Sequence, residues 1–374
     1  MDIMNILYIS NDDRLMAGAS HSMFNMIHAL REDVHPIVLV ADHGEVEKYC
    51  ISHNIECLVV NFLQLYFPRQ YKNPLLHGLS YLKHIRDYNR IEIECANRVY
   101  EKLKYRDISI VHSNSTILTV GIVIAKKLKA KHVWHVREFL NSDFNLEPFR
   151  GRKRLERQVL NADGVIAITH QIYDHWNLGK AKSAEVIWNA VRTRADICFE
   201  ASKDKYFLFC SAHLTHQKGA DYAIDRFEES GLAEKGFRLK MVGEYDEIFK
   251  NYVDSKNCSG AIELLGYQKD IKPFMLKASA FLMFSLNEAM GRTTIEAMFY
   301  GCPVIARKSG GTLDFLKDNE NGYLFETKNE CISLMEKISD NTPKNIIANA
   351  HKLVYDNFTE EAYKNKILSF YSRL

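Results

Sequence analysis

The chain has 374 residues, of which 47% are hydrophobic and 26% are charged. This composition is typical of globular proteins and excludes an intrinsically disordered chain, and the length predicts about two domains. The formal net charge of +2 excludes a general electrostatic attraction to nucleic acid, so we expect no nucleic-acid partner.

Short apolar runs alternate with helical patterns in the first half. The runs predicted to be strands cover residues 5–10, 35–42, 55–61, 108–115, 131–138 and 164–170. The N-terminal residues do not resemble a signal peptide, and the longest apolar run is shorter than the about 20 residues of a membrane-spanning helix. The eight scattered cysteines have no zinc-type spacing and favour a reducing compartment. We therefore expect a cytoplasmic protein.

The alternation stops at a polar segment, 188–205, which predicts a linker, and then begins again. Further strands are expected at residues 206–212, 237–243, 261–267, 278–285, 303–308 and 322–326. Two series of this kind predict an α/β fold with two doubly wound, Rossmann-like domains, 1–187 and 206–357, facing a cleft.

The segment NEAMGRTTIEAM follows a predicted strand and leads into a helical pattern. Open α/β sheets bind ligands at the carboxyl ends of their strands, and helix N-termini favour phosphate. We therefore expect Gly291 and the amides of Arg292 and Thr293 to hold phosphate oxygens. Glu288 is placed to accept hydrogen bonds from sugar hydroxyls, and Glu296 from a ribose diol. The spacing alone suits a capped helix with surface glutamates equally well.

Further ligand contacts are expected at other strand ends. Lys218 precedes Gly219 and a helical pattern, and Gly18 lies in the first strand-to-helix turn, where the backbone could approach the same phosphates. An ordinary surface lysine explains Lys218 as well, and a turn without a ligand explains Gly18 as well. A strand-end histidine such as His135 is more often structural. The sequence lacks GxGxxG and GxxxxGK[ST], which disfavours a dinucleotide cofactor and excludes a P-loop.

Two stretches of the first half are rich in basic residues, Tyr66–Arg90 and Phe149–Gln158. The first also carries many aromatic residues, which are typical of membrane interfaces. A solvated helix face explains this composition, and so does contact with an anionic membrane or an anionic acceptor. We predict contact with an anionic partner and leave both kinds open.

Several segments resemble glycosyltransferase family 4, whose members are retaining enzymes of the GT-B fold. EAMGRTTIE is similar to the E-x7-E motif of that family, AHLTHQKGADYAI to its G-R-x5-K-G segment, and MAGASHSMFNMIHAL to its first glycine-rich loop and helix. Residues 358–374 resemble the last helix of the family, which crosses back to the N-terminal domain. The resemblance is dense over residues 186–330 and sparse over 45–130.

The resemblance implies a role for each matching residue. Lys218 would bind the donor pyrophosphate and stabilise the departing phosphate, and Glu296 would hold the ribose. Glu288 and His135 would contact the donor sugar, so Lys218, Glu288 and His135 are the expected catalytic residues.

Other positions of the resemblance concern the base and the phosphates. Gly266 and Tyr267 would border the nucleotide base. His213 stands where the family has an arginine, so it is expected as a weaker phosphate partner. Ala17 replaces the second glycine of the first loop, which leaves Gly18 as the phosphate-contacting glycine.

The function implied is transfer of a sugar from a UDP- or GDP-linked donor to an acceptor hydroxyl with retention of configuration, in polysaccharide or glycolipid synthesis. The acceptor would be a glycan or a lipid-linked molecule. No acidic pair or Asp/His cluster lies beside the expected phosphate site, so we predict activity without a metal or other cofactor. Two alternatives stay open, a GT-B nucleotide-sugar epimerase and a non-catalytic sugar-nucleotide-binding protein.

Overall fold

The chain forms two compact units. The computed structural model describes residues 3–15, 18–66, 74–140, 148–286, 288 and 290–374. The first unit is Met1–Asn189 with Tyr363–Leu374, and the second is Ala190–Ala362. Each unit is built on one sheet of parallel strands with helices in the connections. The predicted α/β fold with two Rossmann-like domains is therefore confirmed.

The first unit contains one parallel sheet. Its described strands are β1 (Met4–Ile9), β2 (Val34–Val40), β3 (Glu56–Val59), β4 (Ile108–Ser113), β5 (Lys131–Val136), β6 (Gly164–Ala167) and β7 (Ala184–Val186). They pair in the order β3-β2-β1-β4-β5-β6-β7, which is a dinucleotide-binding order extended by one edge strand. Strands such as β6 are buried along their whole length, as expected for parallel strands covered on both faces.

Helices connect these strands. They are α1 (Gly18–Leu30), α2 (Glu45–Ser52), α3 (Pro74–Leu103), α4 (Val120–Leu128), α5 (Arg152–Leu160) and α6 (His170–His175). In α1, the buried residues Met23, Met26, Ile27 and Leu30 recur every three or four positions, which places them on the face that packs inward. Among the helices that the structure describes, none is both long enough and apolar enough to cross a bilayer. All eight cysteines are free thiols.

The second unit repeats this plan. Its described strands are β8 (Tyr206–His213), β9 (Arg238–Glu244), β10 (Ile262–Leu264), β11 (Ala280–Met283), β12 (Val304–Arg307) and β13 (Tyr323–Phe325). All are parallel, in the order β10-β9-β8-β11-β12-β13. The strand order reverses at the pair β8 and β11, and open sheets of this type bind ligands where the order reverses.

The remaining helices follow in chain order. They are α7 (Ala220–Glu229), α8 (Glu247–Asp254), α9 (Lys272–Lys277), α10 (Arg292–Phe299), α11 (Lys328–Asp340), α12 (Lys344–Asn357) and α13 (Glu360–Tyr371). Helix α10 is buried from Thr294 to Phe299, and it leads from the end of β11 to β12. Helix α11 begins with a capping box formed by Thr327 and Glu330.

The segment predicted as a linker, 188–205, is divided between the units, because the first unit ends at Asn189. Its later residues are bonded into the second unit: the N–H of Val191 donates to the carbonyl of Phe358, and that of Cys198 to the carbonyl of Phe299. The polar composition therefore reflects surface loops that belong to a folded unit. At the other end of the chain, α13 begins at Glu360, and residues from Tyr363 onwards belong to the first unit.

Candidate functional site

Three loops of the second unit meet at the carboxyl edge of its sheet, after β8, β11 and β12. We call them the strand-end site, and its described residues are 214–219, 284–286, 288, 290–291 and 308–312. The N–H of Leu286 donates to the carbonyl of Gln217 over 3.0 Å, and that of Gly311 to the carbonyl of Glu288 over 2.6 Å. Backbone bonds thus join the three loops into one site.

Glycines allow these loops to approach closely. Gly310 has a φ of +65°, and a Cβ there would lie 2.7 Å from the backbone N and O of Glu288. Gly219 has a φ of +78°, and its Cβ would lie 2.3 Å from the carbonyl oxygen of Phe284. A side chain at either position would push the backbone of the next loop away, in addition to the cost of a left-handed conformation.

Lys218 and Glu288 form an ion pair within the strand-end site. The Lys218 Nζ donates to the Glu288 Oε2 over 2.9 Å, and both side chains keep some contact with solvent. Partly exposed pairs of this kind contribute little net stability, about 0–1 kcal/mol. An anionic ligand can therefore replace the glutamate as partner of the ammonium at small cost. The sequence assigned separate roles to the two residues and did not predict that they pair.

Two buried hydroxyls lie near the start of α10, that of Thr294 on the helix and that of Thr312 in the loop after β12, and neither was predicted from the sequence. Gly291 stands before the helix with a φ of +77°, and a Cβ there would lie 2.7 Å from the Thr312 Oγ1 and 3.4 Å from the Thr294 Oγ1. Neither hydroxyl has a hydrogen-bond partner among the residues that the structure describes. The first N–H groups of a helix also lack partners within the helix. Arg292 and Thr293 supply the first two N–H groups of α10, so hydroxyl and N–H donors both lie near Gly291.

Glu296 is buried on α10 beside two arginines. Its Oε1 lies 3.1 Å from the Arg192 Nη2 and 3.5 Å from the Arg292 Nε, so both contacts use the same carboxylate oxygen. The Arg292 Nη2 also donates to the carbonyl of Val191 over 3.4 Å. Arg192 lies in the predicted linker and was not expected at the site, since polar composition gave no sign that it packs against α10.

The remaining predicted residues of the second unit lie at other strand ends. The His213 Nδ1 is 3.2 Å from the Glu244 Oε2, at the end of β9, which flanks β8 on the side away from β11. His213 therefore pairs with a carboxylate on the β9 side of β8, whereas Lys218 pairs with Glu288 on the β11 side. Gly266, with a φ of +64°, follows the edge strand β10, and Tyr267 beside it is half exposed.

Gly18 and His135 belong to the first unit. Helix α1 begins at Gly18, and a Cβ there would meet nothing within 4 Å, so the fold itself does not require glycine. Ala17 lies outside the described residues. His135 is fully buried near the end of β5, and its Nε2 has no hydrogen-bond partner within the described part of the chain. Burial and the charge of Arg137 hold the pKa of His135 well below its usual value, so the ring is neutral.

The two basic stretches pack against each other in the first unit. The ring of Phe149 contacts those of Tyr81 and Tyr88, and Tyr66 forms a bridge with Pro148. Tyr88 is one of the aromatic residues of the first stretch that we considered typical of a membrane interface, but it is buried and its hydroxyl bonds to Thr119, so it does not face such an interface. Residues 67–73 of the first stretch lie outside the described residues. The exposed side chains described in this part of α3 are Leu76, Leu79, Leu82, Lys83, Arg86, Asn89 and Arg90.

Comparison with known proteins agrees with this geometry. Residues 194–353 match the family model for Glycosyl transferases group 1. The matched segment lies within the second unit. An uncharacterized glycosyltransferase of Methanocaldococcus jannaschii is 28% identical over 282 residues, which cover 73% of this chain and 76% of that protein. The lipopolysaccharide core biosynthesis glycosyltransferase LpsE of Rhizobium meliloti is 27% identical over 221 residues, which cover 56% of this chain and 64% of LpsE.

Solved structures resemble the chain along nearly its whole length. Anabaena HepE in complex with UDP has a TM-score of 0.77 at 19% identity and covers 99% of this chain and 100% of HepE. HepE in complex with UDP-glucose has a TM-score of 0.74 at 18% identity, with the same coverage. At this level of identity the likeness shows the fold, which is GT-B. Together with the matched domain, it supports a GT-B glycosyltransferase.

Proposed function

We propose that the protein transfers a sugar from a UDP- or GDP-linked donor to an acceptor hydroxyl, with retention of configuration, in the synthesis of a cell-surface polysaccharide or glycolipid. The observation that carries the proposal is the strand-end site, where Lys218 and Glu288 lie beside the donors around Gly291. LpsE is named for lipopolysaccharide core biosynthesis and HepE binds UDP and UDP-glucose, which favours a glycan or lipid-linked acceptor and a UDP-linked donor.

The proposed roles follow from the contacts. A diphosphate takes the ammonium of Lys218 from Glu288 and accepts hydrogen bonds from the first amides of α10 and from the hydroxyls of Thr294 and Thr312. Glu288 is then free to accept hydrogen bonds from hydroxyls of the donor sugar. Glu296, held by two arginines through Oε1, offers Oε2 to a ribose diol. These groups stabilise the charge of the leaving phosphate, and we propose that no metal or other cofactor is needed.

Retention is proposed to result from attack on the same face that the phosphate leaves. The bond between the anomeric carbon and the phosphate oxygen breaks as the acceptor oxygen bonds to that carbon. The departing phosphate takes the proton of the acceptor hydroxyl, so no separate base is required. In this step Lys218 and the start of α10 act on the charge that develops on the phosphate, where preorganised donors contribute most.

The described part of α3 supports contact with an anionic membrane. Leu79, Leu82, Lys83, Arg86 and Arg90 are exposed, and their spacing of three and four places them on one side of the helix. Arg90 is partly engaged by Asp87 at 3.5 Å. Leucines beside basic residues suit the boundary between acyl chains and anionic headgroups, with about 1 kcal/mol for each basic residue near the surface.

A thermal-shift panel of nucleotide-sugars tests the proposal. A ligand at 100 times its Kd should stabilise the protein by about 2.7 kcal/mol. Lys218→Ala should lose the shift, whereas Lys328→Ala, at the start of α11, should keep it. No shift with any UDP- or GDP-sugar would contradict the proposal. Conversion of the donor sugar without an acceptor would instead support an epimerase.

A further inference from the structure

A chain of buried polar side chains runs through the first unit from α13 to His135. The Tyr371 hydroxyl lies 2.7 Å from the His112 Nδ1, and the His112 Nε2 lies 3.2 Å from the His135 Nδ1. The Arg137 Nη2 also lies 3.2 Å from the His135 Nδ1. All four residues are buried, so water does not compete for these hydrogen bonds.

Arg137 determines which nitrogen of His135 carries the proton. A guanidinium has only donors and stays protonated in proteins. The His135 Nδ1 must therefore accept from Arg137, and it cannot carry a hydrogen. Because the ring is neutral, its one proton is on Nε2, where it forms an N–H donor.

The same reasoning extends to His112. Since the His135 Nδ1 is an acceptor, the His112 Nε2 must donate to it. Burial, together with the charge of Arg137, lowers the pKa of His112 well below its usual value, so this ring is also neutral. Its Nδ1 therefore lacks a proton and accepts from the hydroxyl of Tyr371. Helix α13 thus supplies the last donor of the chain.

Two asparagine side chains hold Arg137 in place. The Arg137 Nε donates to the Asn114 Oδ1 over 2.9 Å, and its Nη1 donates to the Asn189 Oδ1 over 2.8 Å. Asn114 follows β4 and Asn189 is the last residue of the first segment of this unit, so two separate parts of the chain fix the plane of the guanidinium. The Arg137 Nη2–H group that donates to His135 is therefore held in one direction, and it always acts as a donor.

We propose that Arg137 and His112 lock His135 in the Nε2–H tautomer, so that His135 donates a hydrogen bond to a hydroxyl oxygen of the donor sugar and does not act as a general base. The buried Nε2 without a partner is the group that such an oxygen would satisfy. The identity of the ligand rests on the proposed function, whereas the tautomer follows from the protein alone. Arg137, His112 and Tyr371 are positioning residues in this scheme.

Nitrogen NMR of the full chain without ligand tests the tautomer. The protein is labelled with ¹⁵N-histidine, and the rings of His135 and His112 are assigned from His135→Gln and His112→Gln. We expect both rings to carry a proton on Nε2 and none on Nδ1 at neutral pH. A proton on the His135 Nδ1, a doubly protonated ring, or an averaged signal of the two tautomers would overturn the inference.

Two substitutions of Arg137 separate positioning from packing. Arg137→Lys keeps a group that only donates, whereas Arg137→Met keeps much of the length and removes the donor. We expect His135 to stay in the Nε2–H form with lysine and to show both tautomers with methionine. If the methionine variant does not fold, Tyr371→Phe is the second variant. Because Arg137 still makes the His135 Nδ1 an acceptor, both rings should keep the Nε2–H form, and a change of tautomer in either ring would overturn the inference.

Calorimetry with UDP and with UDP-glucose links the tautomer to the ligand. Arg137→Met should weaken UDP-glucose binding about tenfold, the size expected for one hydrogen bond, and leave UDP binding unchanged. Arg137→Lys should recover most of the loss. Equal effects of Arg137→Met on both ligands, or none on either, would overturn the positioning role. If the unmodified protein binds neither ligand, the UDP-linked donor of the proposed function is wrong, and the NMR result still decides the tautomer.

Discussion

Replacing Gly310 by alanine tests whether the close packing of two loops positions Glu288. Gly310 has a φ of +65°, and the new Cβ would lie 2.7 Å from the backbone N and O of Glu288. Gly231 offers a matched control, because it also has a φ of +65° and its Cβ would meet nothing within 4 Å. Both variants bear the cost of a left-handed alanine, about 1–2 kcal/mol. Only Gly310→Ala must also move a neighbouring backbone.

The additional destabilisation of Gly310→Ala should be about 1–3 kcal/mol, the usual cost of overpacking. For a unit of this size, 1 kcal/mol lowers Tm by about 2–4 °C, so the two variants should differ by roughly 2–12 °C in calorimetric Tm. Displacement of Glu288 should also disturb its ion pair with Lys218 and weaken UDP-glucose binding. If the two variants unfold at the same temperature and bind UDP-glucose equally well, the packing argument is wrong.

Three further predictions concern the ligand and the surface. Glu296→Ala should weaken UDP binding by about 1.5–3 kcal/mol in calorimetry, with Glu263→Ala as a control distant in the sheet; unchanged affinity would exclude the ribose contact. Transferase activity should survive EDTA, and loss that Mg²⁺ or Mn²⁺ restores would refute the proposed independence of metals. The protein should float with anionic liposomes at low salt, and replacement of Lys83 and Arg86 by glutamate should abolish flotation. If the unmodified protein does not float, the membrane contact is wrong and a groove for an anionic acceptor is the interpretation that remains.

The sequence predicted the sheets well because parallel buried strands are continuous apolar runs. Strand β7 was not predicted because none of its three residues, Ala184–Val186, is fully buried and the polar residues Lys182 and Ser183 precede them, whereas the equally short β10 and β13 each contain a buried apolar residue. The composition of the first basic stretch does not show which side of its helix Tyr88 occupies. The helical spacing does, because the buried residues of α3 at Tyr88, Glu92, Cys95 and Val99 recur every three or four positions.

The candidate site was only partly predictable. The spacing of Glu288, Gly291 and Glu296 follows from local sequence, because all three lie around one helix start. Lys218 is 70 residues away from Glu288 in sequence, and the two meet only because β8 and β11 are neighbours in the sheet. Arg192 lies in a polar segment and was not predicted for the same reason, because no local sequence pattern indicates its contact with Glu296, which is 104 residues away.

The first unit consists of two separate segments of the chain, and this affects how the unit folds during synthesis on the ribosome. Its N-terminal part ends at Asn189, but Ile367 and Phe370 of α13 are buried in it, and a Cβ on Gly164 of β6 would lie 2.9 Å from the ring of Phe370. At about 5–20 residues per second, Tyr363 is synthesised roughly 10–35 s after Asn189. During that time the apolar surface that α13 covers stays open, while the second unit becomes complete. The N-terminal unit is therefore the later of the two to finish folding, because its last helix is synthesised after the second unit.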